Sequence, residues 1–391
     1  MTTKLTMTKS MTTPSGERAD FDVAAFLSSA TVSQALGMSS SLFEGGNVPE
    51  PIMSSVHLLS EAIELPWETG FRDLLGVVAL IDAGGGNGYD GGGRDGTLSG
   101  QALTSEEADR FASHVRRRMS MEPLQYILGK WDFRDLTLKV RAPCLCPRPE
   151  TEELVDHAAA EVREALLRGK RYAATVREGG FKVRILDVGC GTGAIGLALA
   201  SMFGPDDVEV VGIDVDPEAV DLSNENARDV LFGSEEQEGM KGTSRERWYR
   251  AILCSADDLT AARAEELNFE VVVSNPPYIP EPDMDGLTTD VVGYESWNAL
   301  CGGKDGLDVV RDVVRRLPEW STPGGCSCWM EVDTSHTSLI EKWLGPQAKT
   351  VAKKGDSMDR VEFLESVKDL SGRDRFVRLQ VVPQGSGRDS I

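Results

Sequence analysis

The chain has 391 residues, enough for two or three domains that each bury a core. Its formal net charge of −22 argues against a protein that holds nucleic acid mainly by neutralising phosphates. No apolar run approaches the roughly 20 residues of a membrane-spanning helix, so we expect no membrane partner.

Cysteine and histidine are too scattered for the common metal or triad sites. The seven cysteines include no Cys-x-x-Cys pair, which argues against a zinc site or a disulfide framework and favours a reducing compartment. The four histidines lie apart, at positions 57, 114, 157 and 336. We therefore predict no metal and no histidine-based triad.

The N-terminal third predicts a helical domain over residues 21–121, preceded by a disordered tail or transit segment at 1–20. Apolar residues at helical spacing place helices at 21–36, 54–63, 71–81 and about 104–119. Thr104 and Glu107 predict a capping box at the start of the last helix. Glycine dominates residues 84–100, which indicates a flexible surface insert.

The arginines at 116–118 are a candidate basic face, although a solvated helix face is the favoured interpretation. Residues 122–150 predict a linker of short extended pieces. Pro147 and Pro149 fix the backbone there and present the guanidinium of Arg148 at a defined angle. A helix then begins at Glu150 or Thr151.

From residue 183 strand and helix patterns alternate, which predicts a mainly parallel sheet with helices on both faces, in a domain spanning 151–383. Strands are predicted at 183–188, 208–214, 250–254, 269–274, 326–332, 348–353 and 375–382. Helices are predicted at 193–203, 217–231, 258–267, 305–317 and 335–344. The polar run 233–247 is interpreted as a loop insertion and residues 384–391 as a tail.

The first of these strands runs into a glycine-rich turn that opens a helix. Gly189, Gly191 and Gly193 let the backbone turn tightly and approach a ligand that a Cβ would exclude. The next strand ends in Asp214, whose carboxylate is placed to accept both hydroxyls of a ribose. Because NAD and S-adenosylmethionine both contain an adenosine ribose, these features predict a nucleoside cofactor without choosing between the two.

A second motif separates those cofactors. The β-branched run at 271–273 predicts a buried strand, which two prolines stop at Asn275. Asn275 offers a side-chain carbonyl, Pro276 a backbone carbonyl and Tyr278 an aromatic face. Two hydrogen-bond acceptors beside an aromatic ring can bind both hydrogens of a planar –NH2 group. The motif therefore favours methyl transfer to an amino or amide nitrogen over hydride transfer, for which no well-placed His or Lys stands out.

With both motifs in hand, the chain resembles the HemK-type (PrmC-type) release-factor glutamine methyltransferases over roughly residues 50–382. Six segments carry the resemblance, in the family order. They are Pro-Leu-Gln-Tyr-Ile at 123–127, Pro-Arg-Pro-Glu-Thr-Glu at 147–152, the glycine loop at 187–193, Ser-Asn-Pro-Pro-Tyr-Ile at 274–279, Ala-Leu-x-Gly-Gly-x-Asp-Gly-Leu at 299–307 and Asp-Leu-x-Gly-Arg-Asp-Arg at 369–375.

The resemblance implies an α/β fold, a class I S-adenosylmethionine-dependent methyltransferase domain with a Rossmann-like seven-stranded sheet, after a helical domain that helps to dock a peptide-chain release factor. The implied reaction methylates the side-chain amide nitrogen (N5) of the glutamine in the factor's Gly-Gly-Gln motif. The implied cofactor contacts are Gly189, Cys190, Gly191, Thr192, Gly193, Asp214, Asp258 and Asn275. The implied substrate contacts are Arg148, Asn275, Pro276, Pro277 and Tyr278, with Asn275, Pro276 and Tyr278 at the chemical step.

The chain departs from the family pattern at a few positions. Asp258 stands where an aromatic often lies near the adenine, Ser296 replaces a usual proline, and Asp333 and His336 replace Gly and Gln. The expected partner is the release factor alone, with no nucleic acid required and the chain a monomer. The expected compartment is a mitochondrion or plastid, or a bacterial-type cytoplasm.

The motifs themselves are also compatible with other functions. The same motif would grip the exocyclic amine of a nucleic-acid base, at adenine N6, cytosine N4 or guanine N2. A glutamine of a ribosomal protein is another candidate acceptor. A cofactor-binding scaffold without activity and a dehydrogenase are the remaining alternatives.

Overall fold

The structure is a computed structural model that describes residues 27–65, 74, 98–176, 181–232, 248–259, 267–345 and 360–383. The chain divides into two compact units, Met1–Leu128 and Gly129–Ile391. Across the described ranges, no helix is both long enough and apolar enough to cross a membrane.

The described part of the first unit is helical. Its helices are α1 (Val32–Gly45), α2 (Pro51–Ala62), α3 (Ser105–Met119) and α4 (Leu124–Leu128), with a 3-10 turn at Leu98–Gly100. The three longer helices each contribute apolar side chains that are fully buried or nearly so: Leu36, Phe43, Val56, Leu59, Phe111 and Val115. Their burial stabilises helices that would be marginal in isolation.

The helix predicted at 21–36 is interrupted within the described residues, and its positions 21–26 lie outside them. Leu27 is helical, residues 28–31 are not, and α1 begins at Val32, where Thr31 and Gln34 form a capping box in which each side chain accepts the other's backbone N–H. The predicted box at Thr104 and Glu107 is confirmed, with N–H to side-chain oxygen distances of 2.7 and 3.3 Å. Apart from Leu74, the helix predicted at 71–81 lies outside the described residues, as does most of the glycine-rich insert.

The arginines at the end of α3 form no basic face. Arg118 is buried and donates hydrogen bonds to Ser54 Oγ at 3.2 Å and to the Glu122 carbonyl at 2.8 Å. Arg117 pairs with the Glu122 carboxylate at 2.6 Å. Arg116 is the exposed member of the three. The solvated-face interpretation is therefore wrong for Arg118, which instead ties α3 to α2.

The segment predicted as an extended linker, 122–150, has regular structure. Its apolar run at 124–128 is the short helix α4, so the prediction of an extended piece is wrong there. The chain then forms an antiparallel hairpin of β1 (Lys130–Phe133) and β2 (Leu136–Lys139). Alternation in β2 buries Leu136 and Leu138, which explains why this piece was correctly predicted as extended.

Seven strands form one sheet in the second unit. They are β3 (Val183–Val188), β4 (Val208–Asp214), β5 (Tyr249–Leu253), β6 (Val271–Ser274), β7 (Ser327–Glu331), β8 (Arg360–Lys368) and β9 (Asp374–Val382). The order across the sheet is β5-β4-β3-β6-β7-β9-β8. Neighbours from β5 to β7 are parallel, and β9 is antiparallel to both β7 and β8. The predicted mainly parallel sheet is confirmed.

Helices cover both faces of this sheet. They are α5 (Pro149–Val176), α6 (Ala194–Phe203), α7 (Pro217–Ala227), α8 (Thr289–Val292), α9 (Trp297–Leu300), α10 (Asp308–Trp320) and α11 (Thr337–Leu344). Successive strand residues point to opposite faces, so Ile185 joins a core with α5 and α6, whereas Leu186 joins a second core with α10. The central strands are thus buried on both sides, as parallel strands require.

The edge strand β8 was not predicted. Its sequence, Arg-Val-Glu-Phe-Leu-Glu-Ser-Val-Lys, mixes charged and apolar residues because an edge strand keeps part of its surface in water. The strand predicted at 348–353 lies outside the described residues, as do positions 260–266 of the helix predicted at 258–267.

One buried acid affects the stability of this fold. Asp187, near the end of β3, is fully buried; its Oδ2 accepts the Gly196 N–H at 2.9 Å, while its Oδ1 has no hydrogen-bond partner in the described part of the chain. Burial raises the pKa of Asp187 from 3.8 to about 7. The folded protein thus holds a proton that the unfolded chain releases above about pH 4.

We expect the free energy of unfolding to fall as the pH rises from about 4 to about 7, by an Asp187 contribution on the order of 4 kcal/mol. Asp187→Asn, which cannot ionise, should remove that part of the slope. Urea unfolding at several pH values measures it, with Asp206→Asn at an exposed position as the control. Parallel slopes in the wild type and Asp187→Asn would contradict the prediction.

Candidate active site

The site lies where the strand order of the sheet reverses. From β3 the chain continues to β4 on one side, while β6 lies on the other, so the carboxyl ends of β3 and β6 border a crevice. The parallel register pairs Val188 with Ser274, and Ser274 Oγ donates to the Val188 carbonyl at 2.7 Å. The glycine loop and Asn275 therefore start at neighbouring points of the same edge.

A cleft occupies this edge within the second unit. Most of its wall comes from five short segments, 144–148, 188–192, 213–216, 275–277 and 296–299, and it is also lined by Thr151, Cys254 and Ala256. Of the predicted cofactor residues, Gly189, Cys190, Gly191, Thr192, Asp214 and Asn275 line it. Of the predicted substrate residues, Arg148, Asn275 and Pro277 line it.

The glycines of the loop have two different roles. Gly189 and Gly191 have φ values of 72° and 54°, and the position where each Cβ would lie is open space. Gly193 also has a positive φ, but a Cβ there would lie 2.6 Å from Ser223 Oγ and 2.9 Å from Tyr249 Oη. The first two leave room above the loop, whereas Gly193 permits close packing beneath it and does not line the cleft.

Asp214 connects the loop to the end of β4. Its Oδ2 accepts the Gly191 N–H at 2.9 Å and its Oδ1 accepts the Asp216 N–H at 3.0 Å. Burial raises the pKa of Asp214, and these two backbone N–H groups oppose the shift. Each carboxylate oxygen keeps a free lone pair, so the side chain can still accept two further hydrogen bonds.

Asn275 is held by its nitrogen. Its Nδ2 donates to Thr151 Oγ1 at 3.0 Å, and Oδ1 bonds none of the residues that the structure describes. Pro276 is buried and does not line the cleft, although its carbonyl belongs to the peptide bond with Pro277, which does. Tyr278, a predicted substrate contact, is partly exposed and does not line the cleft, and its hydroxyl donates to Glu331 Oε1 at 3.4 Å.

The residues at 299–307 support this corner from behind. Ile279 N–H donates to the Leu300 carbonyl, and Gly302 N–H donates to the Ile279 carbonyl. A Cβ on Gly302 would lie 2.6 Å from the Pro277 carbonyl oxygen, so only glycine lets the two backbones approach. Close backbone packing therefore explains why glycine stands at position 302 of that segment.

Arg148 is paired, not free. Its Nη2 lies 2.8 and 2.6 Å from the two carboxylate oxygens of Glu295, whose side chain is 2% exposed. Burial raises the pKa of Glu295 and the charge of Arg148 opposes the shift. The two prolines do orient Arg148 at the cleft, but the ion pair fixes its direction, and sequence reasoning missed that partner.

Asp258 lies off the cleft. It accepts from Ser255 Oγ at 2.7 Å, while its own N–H donates to the same oxygen at 3.1 Å. This local turn occupies its carboxylate, whereas Cys254 and Ala256 line the cleft at that end. The structure therefore gives the predicted adenine contact of Asp258 no support.

Sequence reasoning also missed the partners of the Asn-Pro-Pro-Tyr corner. Thr151 and Glu331, at 4% and 1% exposure, join Asn275 and Tyr278 in one hydrogen-bonded cluster. Thr151 lies in the 147–152 segment that carries the family resemblance. No sequence-spacing rule connects it to Asn275 or Glu331, which are more than a hundred positions away.

Comparisons with known proteins agree with this arrangement. The family model described as "Methyltransferase domain" matches residues 181–238, and that described as "PrmC N-terminal domain" matches residues 97–129. The chain is 34% identical to the MTRF1L release factor glutamine methyltransferase of Homo sapiens over 68% of this chain and 72% of that protein.

Two bacterial relatives match over a similar share. The release factor glutamine methyltransferase of Geobacter sulfurreducens is 34% identical over 70% of this chain and 79% of that protein. That of Clostridium botulinum is 30% identical over 71% of this chain and 82% of that protein. The chain belongs to the release factor glutamine methyltransferase family.

Proposed function

We propose that this chain transfers a methyl group from S-adenosylmethionine to the side-chain amide nitrogen of the glutamine in the Gly-Gly-Gln motif of a peptide-chain release factor. The observation that carries the proposal is the Asn275 carboxamide. It lines the same cleft as the glycine loop, and its nitrogen is already bonded to Thr151. Its oxygen is therefore available to accept a hydrogen bond from the –NH2 group of a glutamine.

The cleft residues fit S-adenosylmethionine. The open space over Gly189 and Gly191 lets a ligand approach the backbone, and Asp214 keeps two acceptor positions suited to the ribose hydroxyls. When bound, this cofactor supplies a methyl group activated by a positively charged sulfur. Gly189, Cys190, Gly191, Thr192 and Asp214 are the residues that would hold it.

The chemical task of the protein is alignment. An amide nitrogen is a poor nucleophile because its lone pair is delocalised into the carbonyl. Asn275 Oδ1 and the Pro276 carbonyl would accept the two amide hydrogens, and the ring of Tyr278 would pack on the amide plane. Fixing the nitrogen at about 3–3.5 Å from the reacting carbon supplies a large part of the barrier reduction. The carbonyl dipoles also stabilise the positive charge in the transition state.

Tyr278 contributes its ring and not a base. Burial and the neighbouring Glu331 raise the pKa of Tyr278 well above its ordinary value of 10. Its phenol therefore stays protonated at neutral pH. This supports a mechanism in which the product releases its proton to water after methyl transfer, with no strong general base beforehand.

The alternative acceptor, an amine of a nucleic-acid base, is less well supported. The net charge is −22, and two of the three arginines in the candidate basic run are bonded within the first unit. We propose instead that the helical unit helps to dock the release factor. We further propose that the enzyme acts as a monomer, in an organelle or in a bacterial-type cytoplasm.

The direct test supplies the purified chain with S-adenosylmethionine and a purified class I release factor. We expect one added methyl group on the glutamine of the Gly-Gly-Gln peptide, read by tandem mass spectrometry. A release factor with Gln→Ala in that motif is the control. Methylation of bulk RNA or DNA, or of a ribosomal protein, with none on the release factor would overturn the proposal.

Replacing Asn275 by Ala should separate turnover from cofactor binding. We expect kcat to fall by roughly a hundredfold or more, because one of the two acceptors for the amide hydrogens is lost. Calorimetry should show S-adenosylmethionine binding largely retained. Near-normal turnover in Asn275→Ala would remove the central residue of the proposed mechanism.

Asp214→Ala should weaken cofactor binding, whereas Asn275→Ala should mainly lower turnover. We expect the Kd for S-adenosylmethionine to rise at least about tenfold, since two hydrogen bonds to the ribose and the anchor of the Gly191 N–H are lost together. Asp206→Ala, at an exposed position, controls for loss of charge. An unchanged Kd in Asp214→Ala would rule out the ribose role.

A further inference from the structure

Three chain elements meet at one point of the cleft wall, where Thr151 and Asn275 line the cleft and Glu331 is buried. Thr151 stands in the first turn of α5, Asn275 follows the last residue of β6, and Glu331 is the last residue of β7. Thr151 Oγ1 donates to Glu331 Oε2 at 2.7 Å and accepts from Asn275 Nδ2 at 3.0 Å. The three side chains therefore form a continuous hydrogen-bonded chain from the cleft to the sheet.

The donor-to-acceptor direction of these hydrogen bonds follows from the number of hydrogens that each side chain carries. A threonine hydroxyl has one hydrogen and gives it to Glu331, so its oxygen can only accept from Asn275. The Asn275 nitrogen must then face Thr151. Turning the carboxamide over would place its oxygen against a second oxygen with no hydrogen between them.

Glu331 sets the direction of the hydrogen bonds because it accepts at the end of the series opposite Asn275. Its two oxygens accept from Thr151 and from Tyr278, which is what an ionised carboxylate does. Burial raises the pKa of Glu331 and Glu150 adds to the rise, whereas the hydrogen bonds from Thr151 and Tyr278 and the charge of Arg375 lower it. The N-terminal turn of α5 also favours a negative charge at this place.

We propose that Thr151 and Glu331 are positioning residues that fix which end of the Asn275 carboxamide faces the cleft. The inference rests on the proposed function, in which that end accepts a hydrogen from the substrate amide. If the chain of hydrogen bonds were reversed, Asn275 would present its own –NH2 group to the –NH2 group of the glutamine. Two donors would then face each other at the reacting centre.

This role predicts a distinct kinetic pattern. Thr151→Val keeps the shape of the side chain but removes both hydrogen bonds, so kcat/KM for the release factor should fall roughly tenfold to a hundredfold. The Kd for S-adenosylmethionine should stay within about twofold, because Thr151 acts on Asn275 and not on the ribose anchor. Thr151→Ser retains the hydroxyl and should restore most of the activity.

A matched control removes a hydroxyl from the turn that precedes the same strand. Thr322 Oγ1 donates to the Gly325 carbonyl at 2.8 Å, just before β7 begins. Thr322→Val should lower the melting temperature to an extent similar to Thr151→Val and leave both kcat and KM unchanged. Glu331→Gln is the second probe, since an amide cannot accept on both sides, and it should resemble Thr151→Val.

A measurement without substrate separates this inference from the proposed function. In protein labelled with 15N at asparagine, the Asn275 side-chain amide protons should exchange slowly with water in the wild type and in Thr151→Ser, and several-fold faster in Thr151→Val. Equal exchange in all three, or Thr151→Val activity equal to wild type, would overturn the positioning role. Failure of the wild type to methylate a release factor, with this exchange pattern intact, would overturn the proposed function alone.

Discussion

The site depends on the pairing of two strands that are far apart in the sequence. Because β3 and β6 are parallel neighbours with Val188 opposite Ser274, the glycine loop and the Asn-Pro-Pro-Tyr corner leave the sheet side by side. Parallel pairing cannot be made by a local turn, so β3 and β6 are connected through the intervening helices, β4 and β5. Catalytic geometry in this protein is thus a consequence of sheet register.

Three further segments pack around the Asn-Pro-Pro-Tyr corner. The 299–307 segment packs a glycine against the Pro277 carbonyl, and the 147–152 segment brings Thr151 to Asn275. The turn between β8 and β9 is tied to α5, since Arg373 bonds Glu150 at 3.2 Å and the Leu370 N–H bonds Glu153 at 3.1 Å. Motifs that lie far apart in the chain therefore serve one place, which is why each alone carried little information.

Much of this architecture could be predicted from the sequence, for reasons visible in particular elements. The buried strands were found because residues such as Val271 and Val272 form continuous apolar runs, and the α3 cap because its two residues interact locally. The edge strand β8 was missed because its exposed face carries charge. The break in the helix predicted at 21–36 was missed because apolar spacing continues across the Thr31 cap.

Within the site, the sequence indicated residue types but not their partners. Asn275 and the glycines were found because a proline or a glycine restricts the backbone locally. The partners Thr151, Glu331 and Glu295 were not found, since they meet through tertiary packing that no spacing rule describes. Asp258 is an error of the opposite kind. A cofactor contact was assigned to it from its place in the family pattern, but its side chain instead bonds Ser255.

The buried acids at the site specify geometry more than they stabilise the fold. Glu295 and Glu331 are each removed from water; Glu295 forms an ion pair with Arg148, and the charge of Arg375 acts on Glu331. Desolvation offsets most of the attraction in a buried ion pair, so replacing both partners together by apolar groups of similar volume costs little stability. What an apolar replacement cannot do is orient a carboxamide, because only hydrogen-bond donors and acceptors distinguish its nitrogen from its oxygen. In the mechanism we propose, an oxygen and not a nitrogen of Asn275 must face the substrate amide, and the buried carboxylate of Glu331 serves that orientation through Thr151.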